Sequence, residues 1–444
     1  MFEDGKVNFN SCIFKDGNLN FSNTNFGHGG INFKNVVIGD GIKDFQYAYF
    51  GNGDVMFANT DFGNGDISFI NSNFGNGEVS FKIAVFGSGN IDFHYSIFGN
   101  GDISFERAEF GPGRVDFRKV EFGSGKINFN KAVFNNGEIN FEAAEMDEGK
   151  LLFKKTFFGN GEINLEEVLF PKSEVSFEKA IFGKGDVSFY KSKFHTLSLK
   201  SCKLNNYIDL RIEQSSLLEL NDTVVHNIID MIPHDFEMKI NVIDFSGMRL
   251  IGQIYIDWKK NRLKEMIYNQ TKTSYSIKAE QFNLLKQNFN HIGKYNDEDF
   301  AYIEFRRNEE KADLENALKK SSWNKFWIYP SYYFRRLVFD KMGLYATSPL
   351  RVFMSVIVMW FIFGLLFSLF HYIGIGMTWS SVGNPDKVTI IGQSFYHSAI
   401  TFFTIGYGDV YPQGLSRLLS ALEGFTGVFM MSYFTVSFVR KVLR

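Results

Sequence analysis

The residues best suited to chemistry in this 444-residue sequence form the segment Thr-Ile-Gly-Tyr-Gly-Asp at positions 404–409. The segment combines the hydroxyl of Thr404 with a row of backbone carbonyls. Gly406 and Gly408 permit left-handed backbone, which can turn successive carbonyls toward one side of the chain. Carbonyl oxygens arranged in this way can replace the hydration shell of a cation. The segment is therefore a candidate cation site built mainly from backbone.

Two long apolar runs flank this segment and must position it. Residues 350–372 carry no charge after Arg351, and residues 415–443 carry Glu423 as their interior acid. Each run is long enough to cross the hydrocarbon core of a bilayer. The stretch between them that ends in the candidate site, 393–409, is too short and too polar to span. Because irregular backbone at membrane depth is tolerated only inside protein or along a pore, this stretch is predicted to re-enter the membrane.

The order span, re-entrant segment and span, with this hexapeptide, resembles the two-transmembrane potassium channel pore family, whose filter reads TVGYG. The resemblance covers about residues 349–444. It implies that Thr404, Ile405, Gly406 and Tyr407 bind K+ and that Gly408 completes the filter. One chain supplies one wall of such a cage, so a homotetramer is implied. The corresponding elements are an outer helix at 349–373, a pore helix at 392–403, the filter at 404–409 and an inner helix at 415–443.

The same resemblance suggests roles for residues around the filter. His397 and Asp409 are expected to support it, His397 either by a hydrogen bond to Tyr407 or by simple packing. Glu423 is expected to lie behind the filter, outside the ion path, where a buried acid needs a hydrogen-bond partner.

The inner helix contains a glycine close to the position of the family's hinge glycine. Gly427 is that residue, although it could instead serve close packing, and Gly424 competes for either role. Counting helical turns from Gly427 predicts that Met431, Thr435 and Val439 face the cavity.

Basic residues flank both spans on the same side. They are Arg335, Arg336, Lys341 and Arg351 before the first span and Arg440, Lys441 and Arg444 at the end of the second. The positive-inside rule makes this side cytoplasmic, which predicts a multi-pass plasma membrane protein with both termini in the cytoplasm. No Arg-rich span that could sense voltage is present. We therefore expect any regulation to act through the amino-terminal region.

The first 194 residues repeat every twelve. The units FGNGDVMFANTD, FGNGDISFINSN and FGNGEVSFKIAV begin at Phe50, Phe62 and Phe74. A fixed period of this kind predicts a solenoid, and the local spacing of two predicts short strands. Two units per coil would give 24 residues, four faces and stacked Phe rings, with the glycines supplying positive φ at the turns. The Phe-x-x-Ala-x-Phe units resemble the pentapeptide-repeat β-helix family.

The rest of the chain falls into shorter regions. Residues 195–260 keep a looser alternation and are interpreted as closing coils or a cap, and 261–322 are predicted to form a helical hairpin linker. The aromatic and basic segment 323–347, which includes Trp323, is typical of a membrane interface, followed by the pore domain at 348–444. Cys12 and Cys202 are too few for a disulfide framework, and Cys12 is predicted to be a packed thiol.

Composition restricts the remaining functions. A net charge of −2 gives no electrostatic reason for nucleic-acid binding. The start of the chain lacks the features of a signal peptide. With no phosphate loop, metal cluster or nucleophile triad in the sequence, we expect neither an enzyme nor a cofactor; K+ would be the permeant ion. The expected partners are identical subunits, membrane lipid and an unidentified cytoplasmic ligand or protein at the solenoid. The alternative function is a membrane-anchored scaffold whose solenoid recognises a partner.

Overall fold

The computed structural model describes residues 5–320, 325–381, 383 and 388–443. Trp323 and Arg444, which entered the predictions above, lie outside the described residues. The chain divides into two units, residues 1–301 and 302–444. Each is described separately.

The first unit is a stack of short parallel strands with a 24-residue register, in which Val7 pairs with Ile31 and Ile31 with Val55. This confirms the predicted β-solenoid and its two units per coil. An eleven-stranded sheet follows one face through about ten turns. The parallel pairing continues to Tyr255, so residues after 194 add further coils.

The strands fall on four faces of the coil. The first face contains Val7–Asn8, Ile31–Asn32, Val55–Met56, Val79–Ser80, Ile103–Ser104, Lys126–Asn128, Lys150–Leu152, Leu169–Ser176, Lys193–Ser198, Gln214–Glu219 and Lys239–Asp244. The second contains Ile13–Phe14, Val37–Ile38, Val85–Phe86, Glu109–Phe110, Val133–Phe134, Phe157–Phe158, Lys203–Leu204, Val224–Val225 and Arg249–Leu250. The third contains Leu19–Asn20, Lys43–Asp44, Ile67–Ser68, Ile91–Asp92, Val115–Asp116, Ile139–Asn140, Ile163–Asn164, Val187–Ser188, Ile208–Asp209, Ile228–Asp230 and Gln253–Tyr255. The fourth contains Ile97–Phe98, Glu121–Phe122 and Glu145–Met146.

Phenylalanine rings fill the interior in ladders along the solenoid axis. Phe105 stacks on Phe81 and Phe129 at centroid distances of 4.8 and 4.6 Å, with nearly parallel rings. It meets Phe93 and Phe117 of a second ladder edge-on, at 6.1 and 6.0 Å. Stacked and edge-to-face contacts are both favourable ring geometries. The repeated Phe columns of the sequence are therefore the core.

The turns are held by a second ladder of side-chain amides. Asn52 Oδ1 accepts a hydrogen bond from the backbone N–H of Asn76, Asn76 does the same for Asn100, and Asn100 for Ser124. Each bond joins consecutive coils and satisfies a turn donor that would otherwise lack a partner.

The reason given above for the glycines is correct for only some of them. Gly51, Gly63 and Gly75 have φ between 61° and 66°, whereas Gly87 and Gly101 do not have positive φ. A Cβ on Gly87 would lie 2.1 Å from the carbonyl oxygen of Gly63 in the preceding coil. Close approach between coils therefore requires these glycines. The left-handed residue of each unit is usually not glycine, as at Asn59 and Asn71.

The two cysteines differ in exposure. Cys202 is buried, but Cys12 is exposed, so the prediction of a packed thiol at position 12 was wrong. The equivalent residues Val36 and Ala48 are covered by neighbouring coils. Cys12 lies in the first coil, and among the described residues no earlier coil covers it.

Helices follow the last coil. They are α1 Leu263–Tyr268, α2 Tyr275–His291, α3 Tyr295–Lys320, α4 Lys325–Arg335, a π-helical turn Arg336–Lys341, α5 Pro349–Tyr372, α6 Ile390–Phe402 and α7 Ser416–Val442. The boundary between the two units falls inside α3.

The second unit contains the two predicted membrane spans. By length and composition, α5 and α7 are both able to cross a membrane. Shorter α6 lies between them in the chain, and the strands Gly376–Ser380 and Val410–Gly414 form an antiparallel pair. The fold class predicted from the sequence, a solenoid followed by helices and a two-span channel domain, is confirmed.

Candidate functional site

Three helices form the framework of the site. An apolar cluster joins α5, α6 and α7 and contains Val352, Val356, Phe363, Phe367, Phe402, Leu419 and Met430. A Cβ on Gly364 would lie 2.7 Å from the Phe395 ring, so glycine lets α6 approach α5 closely. The carboxyl end of α6 is thus fixed inside the unit.

α6 is capped at both ends. The side chain of Thr389 accepts a hydrogen bond from the Gly392 N–H at 3.2 Å and begins the helix. At the other end, the Ile400 carbonyl accepts bonds from the N–H groups of Ile405 and Gly406, at 2.9 and 3.2 Å. The candidate site therefore begins as the closing turn of α6.

Backbone conformation alternates along the candidate site. Thr404, Gly406 and Gly408 have φ of 57°, 66° and 79°, whereas the intervening Ile405 and Tyr407 are not left-handed. Such alternation turns successive carbonyls toward the same side. Ile405 and Tyr407 are 51% and 73% exposed in the single chain. One subunit thus leaves this segment uncovered.

Asp409 fixes the far end of the segment. The Tyr396 hydroxyl donates to its carboxylate at 2.8 Å. The backbone N–H and the hydroxyl of Ser381 both donate to its carbonyl, at 2.8 and 3.1 Å. Sequence reasoning did not identify Tyr396 or the strand pair. The signal for Tyr396 was its place on the predicted pore helix, 13 residues before the acid.

His397 packs inside the unit. Its Nε2 lies 2.9 Å from the Ser420 hydroxyl, and its ring meets Phe367 edge-on at 4.9 Å. Within one chain its hydrogen-bond partner is therefore Ser420, and the exposed Tyr407 is not. This arrangement corresponds to the packing alternative.

Glu423 is fully buried on α7. The Ser398 hydroxyl donates a hydrogen bond to one of its carboxylate oxygens. Ser398 belongs to α6, so this bond joins the pore helix to the inner helix behind the candidate site. A buried acid requires such a partner.

Gly427 marks the closest approach of α7 to α6. A Cβ at this position would lie 2.0 Å from the carbonyl oxygen of Phe402, whereas a Cβ on Gly424 would meet nothing within 4 Å. α7 runs unbroken through both glycines. Gly427 therefore has a packing role, and its role as a hinge stays a prediction.

The three residues predicted to face a cavity lie on one stripe of α7. Met431, Thr435 and Val439 are all exposed in the single chain. Thr435 donates its hydroxyl to the Met431 carbonyl at 3.0 Å, which leaves the apolar parts of the stripe outward. Their cavity position stays a prediction, since it depends on neighbouring subunits.

Comparisons with known proteins concern this carboxy-terminal region. Residues 355–444 match the family described as "Ion channel". Protein LctB of Bacillus caldotenax is 29% identical over 82 residues, which are 17% of this chain and 61% of LctB. The chain thus spans about three fifths of the length of that curated relative. No solved structure matches the chain.

Proposed function

We propose that this chain, whose residues 355–444 form an ion channel domain, is the subunit of a homotetrameric channel that conducts K+ passively and selectively across the plasma membrane. The observation that carries the proposal is the alternation of left-handed residues at Thr404, Gly406 and Gly408. Carbonyls aligned by this alternation replace the water shell of K+. Ile405 and Tyr407 contribute the carbonyls between them.

Exposure supports the assembly of four subunits. Irregular backbone at membrane depth must be covered by protein or line a water-filled path. A single chain leaves Ile405 and Tyr407 largely uncovered, together with Phe425 on α7. Neighbouring subunits cover these surfaces, and four walls close the ring of carbonyls. Native mass spectrometry in mild detergent should give a tetramer; a monomer or dimer would contradict the proposal.

Ion flux tests selectivity directly. Liposomes containing the wild-type protein should pass K+ far better than Na+, and Gly406→Ala should remove that preference because its φ of 66° disfavours a side chain. Gly374→Ala is the matched control. Gly374 also has positive φ, 73°, and open space where a Cβ would lie, but it is outside the filter. Equal K+ and Na+ flux through the wild type, or equal effects of both substitutions, would refute the assignment.

Charge supports the orientation. Arg335, Arg336 and Lys341 precede α5, and Arg440 and Lys441 end α7. Basic residues favour the cytoplasmic side, so we assign this side to the solenoid and to both termini. Tyr407 then lies toward the outside.

We further propose that the solenoid regulates the pore through α3. The first turns of α3 belong to the solenoid unit, where Phe300 stacks on Trp258 at 6.1 Å and Asp297 accepts a bond from the Trp258 N–H. From Tyr302 onward the same helix belongs to the channel unit. A continuous helix can transmit a displacement from one unit to the other.

In the channel unit, α3 is bonded to the elbow before α5, residues 336–346. Arg307 forms a two-point ion pair with Asp340, with a shortest N–O distance of 2.6 Å, and also pairs with Glu304 at 2.9 Å. Burial lowers the pKa of Arg307, but the bond to Asp340 and the charge of Glu304 raise it further, so its net pKa is raised. Asp340 is 1% exposed. A buried, two-point pair of this kind holds its partners in one geometry.

The elbow is in turn bonded to the end of α7. The Ala346 N–H donates to the Tyr433 hydroxyl at 3.0 Å, and Tyr433 donates to the Phe339 carbonyl at 3.3 Å. The Arg440 guanidinium donates to the Tyr345 carbonyl and lies 4.3 Å from the ring centroid of Tyr302 on α3. Movement of α3 therefore acts on the cytoplasmic end of the inner helix.

Single-channel recording tests this route. Arg307→Met should change open probability severalfold while leaving the K+ preference intact, because it breaks the pair with Asp340 far from the filter. Lys319→Met removes an exposed positive charge from the same helix and should leave open probability unchanged. Wild-type gating in Arg307→Met would remove α3 as the route of regulation.

A further inference from the structure

The last coil of the solenoid presents the ends of its parallel sheets. Lys239–Asp244, Arg249–Leu250 and Gln253–Tyr255 each pair with the preceding coil, and among the described residues none has a strand on its outer side. Unpaired N–H and C=O groups at a sheet edge can pair with another chain unless something covers them.

Two of these edges are covered by side chains from the helices that follow. Gln281 accepts a bond from the Phe245 N–H at 3.0 Å. Asn288 both accepts from the Ile254 N–H, at 2.9 Å, and donates to the Ile254 carbonyl, at 2.8 Å. The Asn288 amide thus acts as the peptide group of one further strand.

The middle strand, Arg249–Leu250, lacks such a cover. On its inner side, the N–H groups of Arg249 and Ile251 donate to the preceding coil, to Thr223 and Val225, both at 2.9 Å. Repeating this pattern outward, the carbonyls of Met248 and Leu250 would accept bonds from a further strand. In the described ranges, neither carbonyl has a hydrogen-bond partner. We call the outer side of this strand the open edge.

A groove of about 590 Å³ lies along the open edge. One wall is formed by residues 245–252 and the other by α2, which presents Glu280, Leu284, Gln287 and His291 along one helix face. The volume falls in the usual range of ligand-binding clefts, roughly 300–1,000 Å³. The groove therefore gives access to the unpaired backbone groups.

We propose that this groove binds an extended peptide segment of another protein, which adds to the open edge as a parallel strand. The backbone groups of the edge select an extended main chain, as in other cases of strand addition. Leu204, Val225 and Leu250 form an inward-facing column, and Leu250 is only half-buried because no further coil covers it. An aliphatic residue of the added strand would complete this column.

Charge defines the neighbouring position of the peptide. Arg249 is exposed and points outward beside Leu250, and His291 lies on the opposite wall. An acidic residue opposite Arg249 complements this charge. The partner is therefore a segment in which an acidic residue is followed by an aliphatic one. This inference is independent of ion conduction, since it concerns the solenoid unit alone.

Binding of a synthetic peptide to the full-length protein in detergent tests the proposal. The probe is a fluorescein-labelled peptide of alternating Asp and Val between Gly-Ser ends, measured by fluorescence anisotropy. We expect saturable binding to the wild type. A peptide with the central amides N-methylated should bind at least about tenfold more weakly, because it cannot donate to the open edge.

Two protein variants provide the matched comparison. Arg249→Glu should weaken binding of the Asp-Val peptide at least about tenfold through charge repulsion. Lys203→Glu makes the same charge reversal in the same exposed column, two coils before the edge, and should bind like the wild type. Circular dichroism checks that both variants remain folded.

Three results would overturn the proposal. The wild type could fail to bind the peptide saturably, the N-methylated peptide could bind equally well, or the two variants could bind alike. Self-association of the full-length protein without peptide, abolished by Arg249→Glu, would instead assign the groove to a second copy of this chain.

Discussion

The Phe105 ring gives the sharpest test of how the solenoid is held together. Its side chain is fully buried and contacts four other rings, two stacked and two edge-on. Phe105→Ala removes one ring from the middle of a ladder and leaves a cavity that the flat strands on either side cannot close. Replacing a buried Phe by Ala usually costs about 3–5 kcal/mol.

Amide hydrogen exchange on the intact protein measures this cost locally. Since about 1.4 kcal/mol corresponds to a factor of ten, exchange in peptides covering 90–130 should become roughly 100- to 3,000-fold faster. Coils contact only their neighbours in a solenoid, so peptides several coils away should change much less. The channel domain should keep its K+ preference.

Phe157→Ala is the matched control, because it makes the same chemical change on the outward face. Phe157 is 45% exposed and pairs across the strand with Val133. Losing such a pair costs about 0.2–1 kcal/mol, so exchange near 157 should rise no more than about fivefold. Equal effects of the two substitutions would show that the ring ladders are not the core.

Two further predictions concern single groups. Lys43 is buried in an otherwise apolar column, and its ammonium has no hydrogen-bond partner in the described residues, so Lys43→Met should stabilise the protein by about 1–3 kcal/mol near neutral pH, whereas exposed Lys34→Met should not. Burial lowers the pKa of Lys43 from 10.5, so the unfolded state binds more protons and wild-type stability should rise as pH increases through the lowered pKa toward 10.5; thermal melts at several pH values would contradict this if the gap to Lys43→Met stayed constant. Tyr396→Phe removes the bond to Asp409 and should reduce K+ flux severalfold, while Tyr372→Phe should not; equal fluxes would show that this bond does not hold the filter.

Much of the architecture could be predicted from the sequence because it is repeated or strongly patterned. The twelve-residue period determined which Phe residues share a column, and the 24-residue register followed from the space that two rings need. The spans were readable from their length, and their helices begin and end within a few residues of the prediction, as fraying ends allow.

The remainder depended on contacts that no local pattern contains. The glycine requirement at Gly87 comes from a carbonyl 24 residues earlier, and the exposure of Cys12 comes from its place in the first coil. The bond between Tyr396 and Asp409 joins a helix to a strand pair that the sequence did not predict. Similarly, Ser398 could be recognised as the partner of Glu423 only when α6 and α7 were placed side by side.

The register of the solenoid also determines how its length can evolve. Val55 pairs with Val79, and Val79 with Ile103, so each full coil spans 24 residues while the sequence unit spans twelve. Duplication or loss of 24 residues would add or remove one layer, about 4.8 Å along the axis, and return the following chain to the same side. Loss of a single twelve-residue unit would keep the Phe columns filled but bring α1 and α2 to the opposite side of the coil. The domain is thus a ruler with layers as its graduations, on which the genetic unit of change and the geometric unit of change differ by a factor of two.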